Sequence, residues 1–127
     1  MQAVCFQAPD GLALKTLPDP QPAAGEVLVR VAHAGFCGSD RALLKSGGLA
    51  ADYVMGHEVS GVVAELGAGV TGLAVGDTVT FTPQVTCGTC YPCTHGMEHI
   101  CESLKVMGFQ TDGAAQEFFP VAAEKII

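Results

Sequence analysis

Cys87, Cys90, Cys93 and Cys101 follow one another as C-x2-C-x2-C-x7-C. Thiols this dense along a chain share one metal ion, and four of them close the tetrahedral shell of Zn2+ with no position left for a substrate. The expected site is therefore structural. Zinc binding by thiolates contributes on the order of 10 kcal/mol, enough to fold a stretch that carries Gly88, Pro92, Gly96 and little apolar content. His95 and His99 lie inside the same stretch; with four thiols already available they read as surface residues.

A second constellation has different chemistry. Cys37, His57 and Glu58 offer a thiolate, an imidazole and a carboxylate, which together leave a zinc shell incomplete. An open position lets water or a substrate oxygen reach the metal and be polarised there, so this trio reads as catalytic. Asp40 is the natural carboxylate to accept the other ring N–H of His57, and Ser39 falls beside the open position. Taken alone, a cysteine twenty residues ahead of a His-Glu pair is weak evidence, and a histidine satisfied in the core is the default reading.

The elements that must position these residues are mostly strands. Residues 3–6 form a short apolar run and 11–17 alternate, after which Pro18, Pro20 and Pro22 break regular structure. Residues 26–34 (EVLVRVAHA) are rich in β-branched side chains and predict a strand that delivers the chain to Cys37. Ser39 and Asp40 are placed to cap a short helix over 40–46, ended by Gly47 and Gly48. Further strands are expected over 57–66, with Gly61 as a bulge, and over 75–81, entered by a Gly-Asp turn. The cysteine lobe at 87–101 interrupts the pattern, which resumes over 113–119 and 121–127. Leu44, Leu49 and Tyr53 are candidates for a substrate pocket, though packing is the commoner use of such residues; Cys5, His33 and Met55 read as core or near-core positions.

Composition excludes several classes. With 127 residues the chain is one domain, and 49% hydrophobic against 15% charged residues sets disorder aside. A formal charge of -7 and no basic cluster argue against nucleic acid as a partner. The first residues lack a charged leader with an apolar run, and no segment has the roughly 18 apolar residues of a spanning helix, so a cytoplasmic protein that avoids membranes is expected. Without a secretory signal, the six cysteines favour metal over a disulfide framework. Gly67, Gly69 and Gly72 spell G-x-G-x-x-G, but a dinucleotide fingerprint must open a helix, and here Gly76-Asp77 and the β-branched TVTF follow. They read as hairpin turns, and no residue of the chain is assigned to cofactor binding.

The motifs also carry a resemblance. GHEVSGVVAELGAGV at 56–70 matches G-H-E-x2-G-x5-G-x2-V of the zinc-dependent medium-chain alcohol dehydrogenases, and it is accompanied by CGSD at 37–40, GDTV at 76–79, the four-cysteine loop and DGAAQEFF at 112–119. The resemblance spans essentially the whole chain and is greatest to the polyol, sugar-acid and threonine dehydrogenase branch. It implies a mainly β fold with short helices: a GroES-like, partly open β-barrel with a structural zinc lobe, over residues 1–127. It further implies catalytic zinc on Cys37, His57 and Glu58, structural zinc on Cys87, Cys90, Cys93 and Cys101, and Ser39 as the first member of a proton relay. Many relatives complete that relay with a histidine where this chain has Ala42. The expected activity is oxidation of a small alcohol or polyol by NAD or NADP held on a C-terminal Rossmann domain, in an enzyme that is a homo-oligomer at full length. That domain is not in this chain, which reads as an excised or truncated piece, inactive alone. The alternative is a stand-alone zinc-binding or interaction module without dehydrogenase activity.

Overall fold

The computed structural model describes residues 1–7, 11–47 and 53–127. Its frame is set by strand β3 (Glu26–Gly35), in which Val27, Leu28 and Val29 are buried in succession. Consecutive buried positions mean that both faces of the strand are covered there. Around it lie β4 (Glu58–Leu66), β5 (Thr78–Thr80) and β8 (Phe118–Ala122), giving an antiparallel sheet in the order β5-β4-β3-β8. Val27, Val29, Val63, Val79, Phe119 and Val121 of this sheet form the main core with Phe81 and Met107. Phe81 and Phe119 stack with ring centroids 5.3 Å apart.

Two ribbons complete the described strands: β1 (Gln2–Gln7) with β2 (Gly11–Thr16), and β6 (Gln84–Val85) with β7 (Lys105–Val106). Single bridges such as Ala3 to Gln116 tie the first ribbon on, so the described strands stay open and do not close into a barrel. The expected mainly β architecture with short helices is what the chain adopts. Among the described residues no helix is long and apolar enough to cross a membrane.

Several local expectations need correction. Gly61 is not the bulged residue. The register passes from Val31 opposite Gly61 to His33 opposite Ser60, so the extra residue is Ala32 on β3. Gly61 is where the strands approach too closely for a side chain: a Cβ there would lie 2.5 Å from the Arg30 carbonyl oxygen. Past the bulge β3 turns outward, and His33 is exposed rather than near the core; Cys5 and Met55 are buried as expected. Residues 113–117 make no continuous strand, and the chain closes on a 3-10 turn at Ala123–Lys125 instead of a strand to its end. The 75–81 strand is confined to β5, preceded by the expected turn at Gly76-Asp77. Gly67, Gly69 and Gly72 do lie in the connection between antiparallel β4 and β5, and no helix follows them.

Helix α1 (Gly38–Ser46) begins earlier than expected, with Cys37 at its N-cap, so Ser39 and Asp40 belong to its first turn. Gly47 ends it with φ 63°, the left-handed conformation that glycine adopts without a steric penalty. The cysteine lobe contains only a four-residue helix α2 (Tyr91–Thr94) and a 3-10 turn (Glu98–Ile100), and the β6–β7 ribbon closes its base.

Candidate metal centres

In the lobe the four thiols converge. Sγ of Cys90 lies 3.4 Å from Cys93 and 3.8 Å from Cys101, and Sγ of Cys87 lies 4.0 Å from Cys93 and 3.6 Å from Cys101. A tetrahedron of sulfurs about a zinc ion at about 2.3 Å has edges of about 3.8 Å, so this cage fits the ion it was expected to hold. The N–H groups of Cys90 and Ser103 point at Cys87 Sγ and Cys101 Sγ, each at 3.4 Å, as donors to thiolates do. The backbone N–H groups of Thr89 and Cys90, then the Thr89 hydroxyl and the Cys90 thiol, push the Cys87 thiol down to about 6. Cys93 is pushed up to about 12 by loss of hydration first, then by the thiols of Cys90 and Cys101. Packed sulfurs without a cation must keep protons between them, and a cation removes that conflict. His95 and His99 are exposed, as expected. His95 stacks on Tyr91 at 3.9 Å and its Nδ1 lies 2.8 Å from the Tyr91 carbonyl oxygen, outside the sulfur cage.

The second constellation is assembled by strand pairing. Cys37 follows the end of β3 and His57 precedes β4, and the ladder between them runs to its last pair, Gly35 opposite Glu58. One ligand atom each from Cys37, His57 and Glu58 lies within 4.8 Å of the others. Asp40 joins two of the three. Its Oδ2 accepts a hydrogen bond from the Cys37 N–H at 2.9 Å, while Oδ1 lies 3.4 Å from His57 Nδ1. Those last two atoms are close but not aligned as a hydrogen bond, and both are buried with no other partner among the described residues. Asp40 is 1% exposed and borders an apolar hollow of ≈ 190 Å³ walled by Val4, Leu12, Phe36, Met55 and Ala115. With Nδ1 turned to Asp40, Nε2 faces the other way, 3.4 Å from Ser39 Oγ. That is the arrangement a metal-ligating histidine needs, with one nitrogen on a carboxylate and the other free to coordinate.

Two contributors were not anticipated. Phe109 places its ring edge-on against His57, centroids 4.8 Å apart at 69°. No spacing in the sequence marks it, because the contact is made across 52 residues of chain. Gly35, just past the strand expected over 26–34, is the other: a Cβ there would sit 2.7 Å from Glu58 Oε2 and 3.1 Å from Glu58 Cβ. Gly35→Ala is therefore expected to drive the Glu58 carboxylate off the trio and weaken metal binding there about tenfold, with little loss of fold; isothermal titration with Zn2+ after chelation checks it. Of the pocket candidates, Leu44 packs with Leu43 against buried Phe6 and Met55, and Tyr53 donates its hydroxyl to the Gln110 carbonyl at 2.6 Å. Leu49 lies outside the described residues, as does Gly48 at the expected helix end.

A mainly β domain with a sulfur cage on one lobe and a mixed Cys-His-Glu trio on its sheet is the arrangement that the motifs implied. The family described as alcohol dehydrogenase GroES-like domain matches residues 23–127, and the chain belongs to it. It is 37% identical over 121 residues to L-threonine 3-dehydrogenase of Pyrococcus horikoshii, covering 91% of this chain and 35% of that protein. Among solved structures it is similar to an alcohol dehydrogenase (rspB) from Escherichia coli CFT073 complexed with NADH, with TM-score 0.91, 38% identity, and coverage of 100% of this chain and 37% of that one. A zinc-binding dehydrogenase from Sinorhizobium meliloti 1021 bound to NADP superposes with TM-score 0.91 at 30% identity over 99% of this chain and 37% of that one. The chain thus spans between 35% and 37% of the length of the first curated relatives that it matches.

Proposed function

We propose that this chain is the zinc-binding catalytic domain of an NAD- or NADP-dependent alcohol or polyol dehydrogenase. The observation that carries the reading is the coexistence of a closed four-sulfur cage and an open Cys-His-Glu trio whose histidine is backed by a buried carboxylate. Cys87, Cys90, Cys93 and Cys101 hold a structural zinc, and Cys37, His57 and Glu58 hold a catalytic one. Zinc in the open site supplies Lewis-acid polarisation of a substrate hydroxyl, which favours its ionisation near neutral pH. Asp40 anchors Cys37 through its N–H and turns the His57 ring. Ser39, at the first turn of α1, takes up the proton released by the alcohol and passes it outward. With Ala42 in place of a relay histidine, that proton leaves through water, the cofactor ribose or another residue.

Hydride acceptance belongs to a nicotinamide cofactor held on a Rossmann domain outside these residues, in a cytoplasmic homo-oligomer. Support for the cofactor comes from NADH and NADP in the similar structures, and support for a small secondary-alcohol substrate from the threonine dehydrogenase relative. The test uses the full-length protein, metal analysis and turnover. Two zinc ions per chain and NAD(P)-dependent oxidation of secondary alcohols are expected, with turnover abolished in Cys37→Ala while one zinc remains. Metal-free protein, or turnover untouched by loss of the trio's metal, would sink the reading. A stand-alone zinc-binding module would keep both ions and show no turnover at any cofactor concentration.

A further inference from the structure

His57 meets three groups, and they differ in how firmly they hold it. Asp40 Oδ1 and Ser39 Oγ each stand 3.4 Å from a ring nitrogen, at the long end of hydrogen-bond geometry. Contacts this long leave the tilt of the ring loosely set, and a rotation of the imidazole out of its present plane would carry Nδ1 off the buried Asp40 carboxylate and Nε2 away from the trio. The third group is the Phe109 ring, whose 4.8 Å, 69° edge-to-face contact resists that rotation by packing.

Phe109 reaches His57 because its segment is fastened to the residues just before His57. The N–H groups of Gly113, Ala114 and Ala115 donate to the carbonyls of Val54, Gly56 and Met55 at 2.8, 2.9 and 2.8 Å, and Val54 N–H donates back to Asp112 Oδ1 at 3.1 Å. The approach is so close that a Cβ on Gly113 would lie 2.6 Å from the Met55 carbonyl oxygen. Within the segment, Gly108 N–H donates to Thr111 at 2.8 Å and Phe109 N–H to Val106 at 3.0 Å, which closes a tight turn with Phe109 on it. Phe109 and His57 therefore stand on two stretches of backbone joined by four hydrogen bonds.

We infer that Phe109 is a positioning residue for the open trio: its ring holds the His57 imidazole with Nδ1 toward Asp40 and Nε2 available to a metal. The inference rests on the trio binding metal as proposed above. In the full-length protein, Co2+ is exchanged into the trio while the cysteine lobe keeps its zinc, and Phe109→Ala, Phe109→Leu and Phe109→Tyr are compared. Loss of the aromatic contact in the Ala and Leu variants is expected to weaken Co2+ binding roughly three- to tenfold and to change the d–d absorption envelope, with Tyr restoring both. In metal-free protein, the nitrogen resonances of His57 are expected to report one tautomer with Phe109 present and a mixture in Phe109→Ala. Unchanged Co2+ affinity and spectrum in Phe109→Ala overturn the inference. So does an affinity loss accompanied by loss of zinc from the lobe or a lower urea midpoint, which marks a merely structural role. Failure of Co2+ to enter the trio of the unsubstituted protein would instead remove the metal reading itself, and the inference with it.

Discussion

Metal removal from the cysteine lobe is expected to unfold residues 87–101 while the four-stranded sheet keeps its order. Between Cys87 and Ile100 the chain buries no side chain, and only Cys101 at the end of the lobe falls inside. Its regular structure is one four-residue helix and one 3-10 turn, far below the length at which a helix is stable by itself. What remains is the two-residue β6–β7 pairing at the base. Against this, metal binding by four thiolates is worth about 10 kcal/mol or more. Hydrogen exchange with and without a chelator checks the result: amide protection over 87–101 should vanish in metal-free protein, whereas Val27, Val29 and Val63 stay protected. Cys101→Ser should have the same effect at neutral pH without a chelator. Protection that survives metal removal would mean that the lobe folds on packing alone, against the proposed structural zinc.

Asp40→Ala is expected to be the most damaging single change at the open trio that replaces no proposed ligand. It removes the acceptor of the Cys37 N–H and the carboxylate facing His57 Nδ1, inside a site where Asp40 is 1% exposed. A buried polar group stripped of its partner costs about 1–3 kcal/mol. Loss of the carboxylate behind a metal-ligating histidine costs roughly 10–100-fold in metal affinity. Asp40→Asn keeps an oxygen for the Cys37 N–H and should lose less of both. Zinc competition titrations and urea unfolding separate the two effects. Metal affinity in Asp40→Ala equal to that of the unsubstituted protein would strip Asp40 of its proposed role.

The thiols of the lobe were legible because ligand chemistry leaves short spacings in the chain, whereas Cys37, His57 and Glu58 stood out from a core histidine only through the wider motif pattern. The cysteines of the lobe lie within one local stretch, and their convergence follows from proximity. Asp40 could be placed beside His57 because a metal-ligating histidine needs a carboxylate behind it, although the helix was expected from 40 and α1 starts at Gly38. The Ala32 bulge was not legible. Which of two paired strands takes the extra residue depends on the register of both, and Gly61 drew attention through its composition although its role is close approach. Phe109 was missed for a related reason: an aromatic residue beside a glycine has no period, and its neighbour is chosen by hydrogen bonds to residues 54–56. The end of the chain was read as strand because 121–127 is apolar. In fact β8 is spent by Ala122, where its pairing with Glu26 at the start of β3 runs out.

The last pair of the β3–β4 ladder, Gly35 opposite Glu58, sets a division of labour along the chain. Cys37 and His57 are held near each other by a hydrogen-bonded register upstream and downstream of the excursion between them, so their spacing in three dimensions does not depend on how many residues the excursion contains. A change in the number of residues between Cys37 and His57 therefore leaves in place the ladder that sets their spacing.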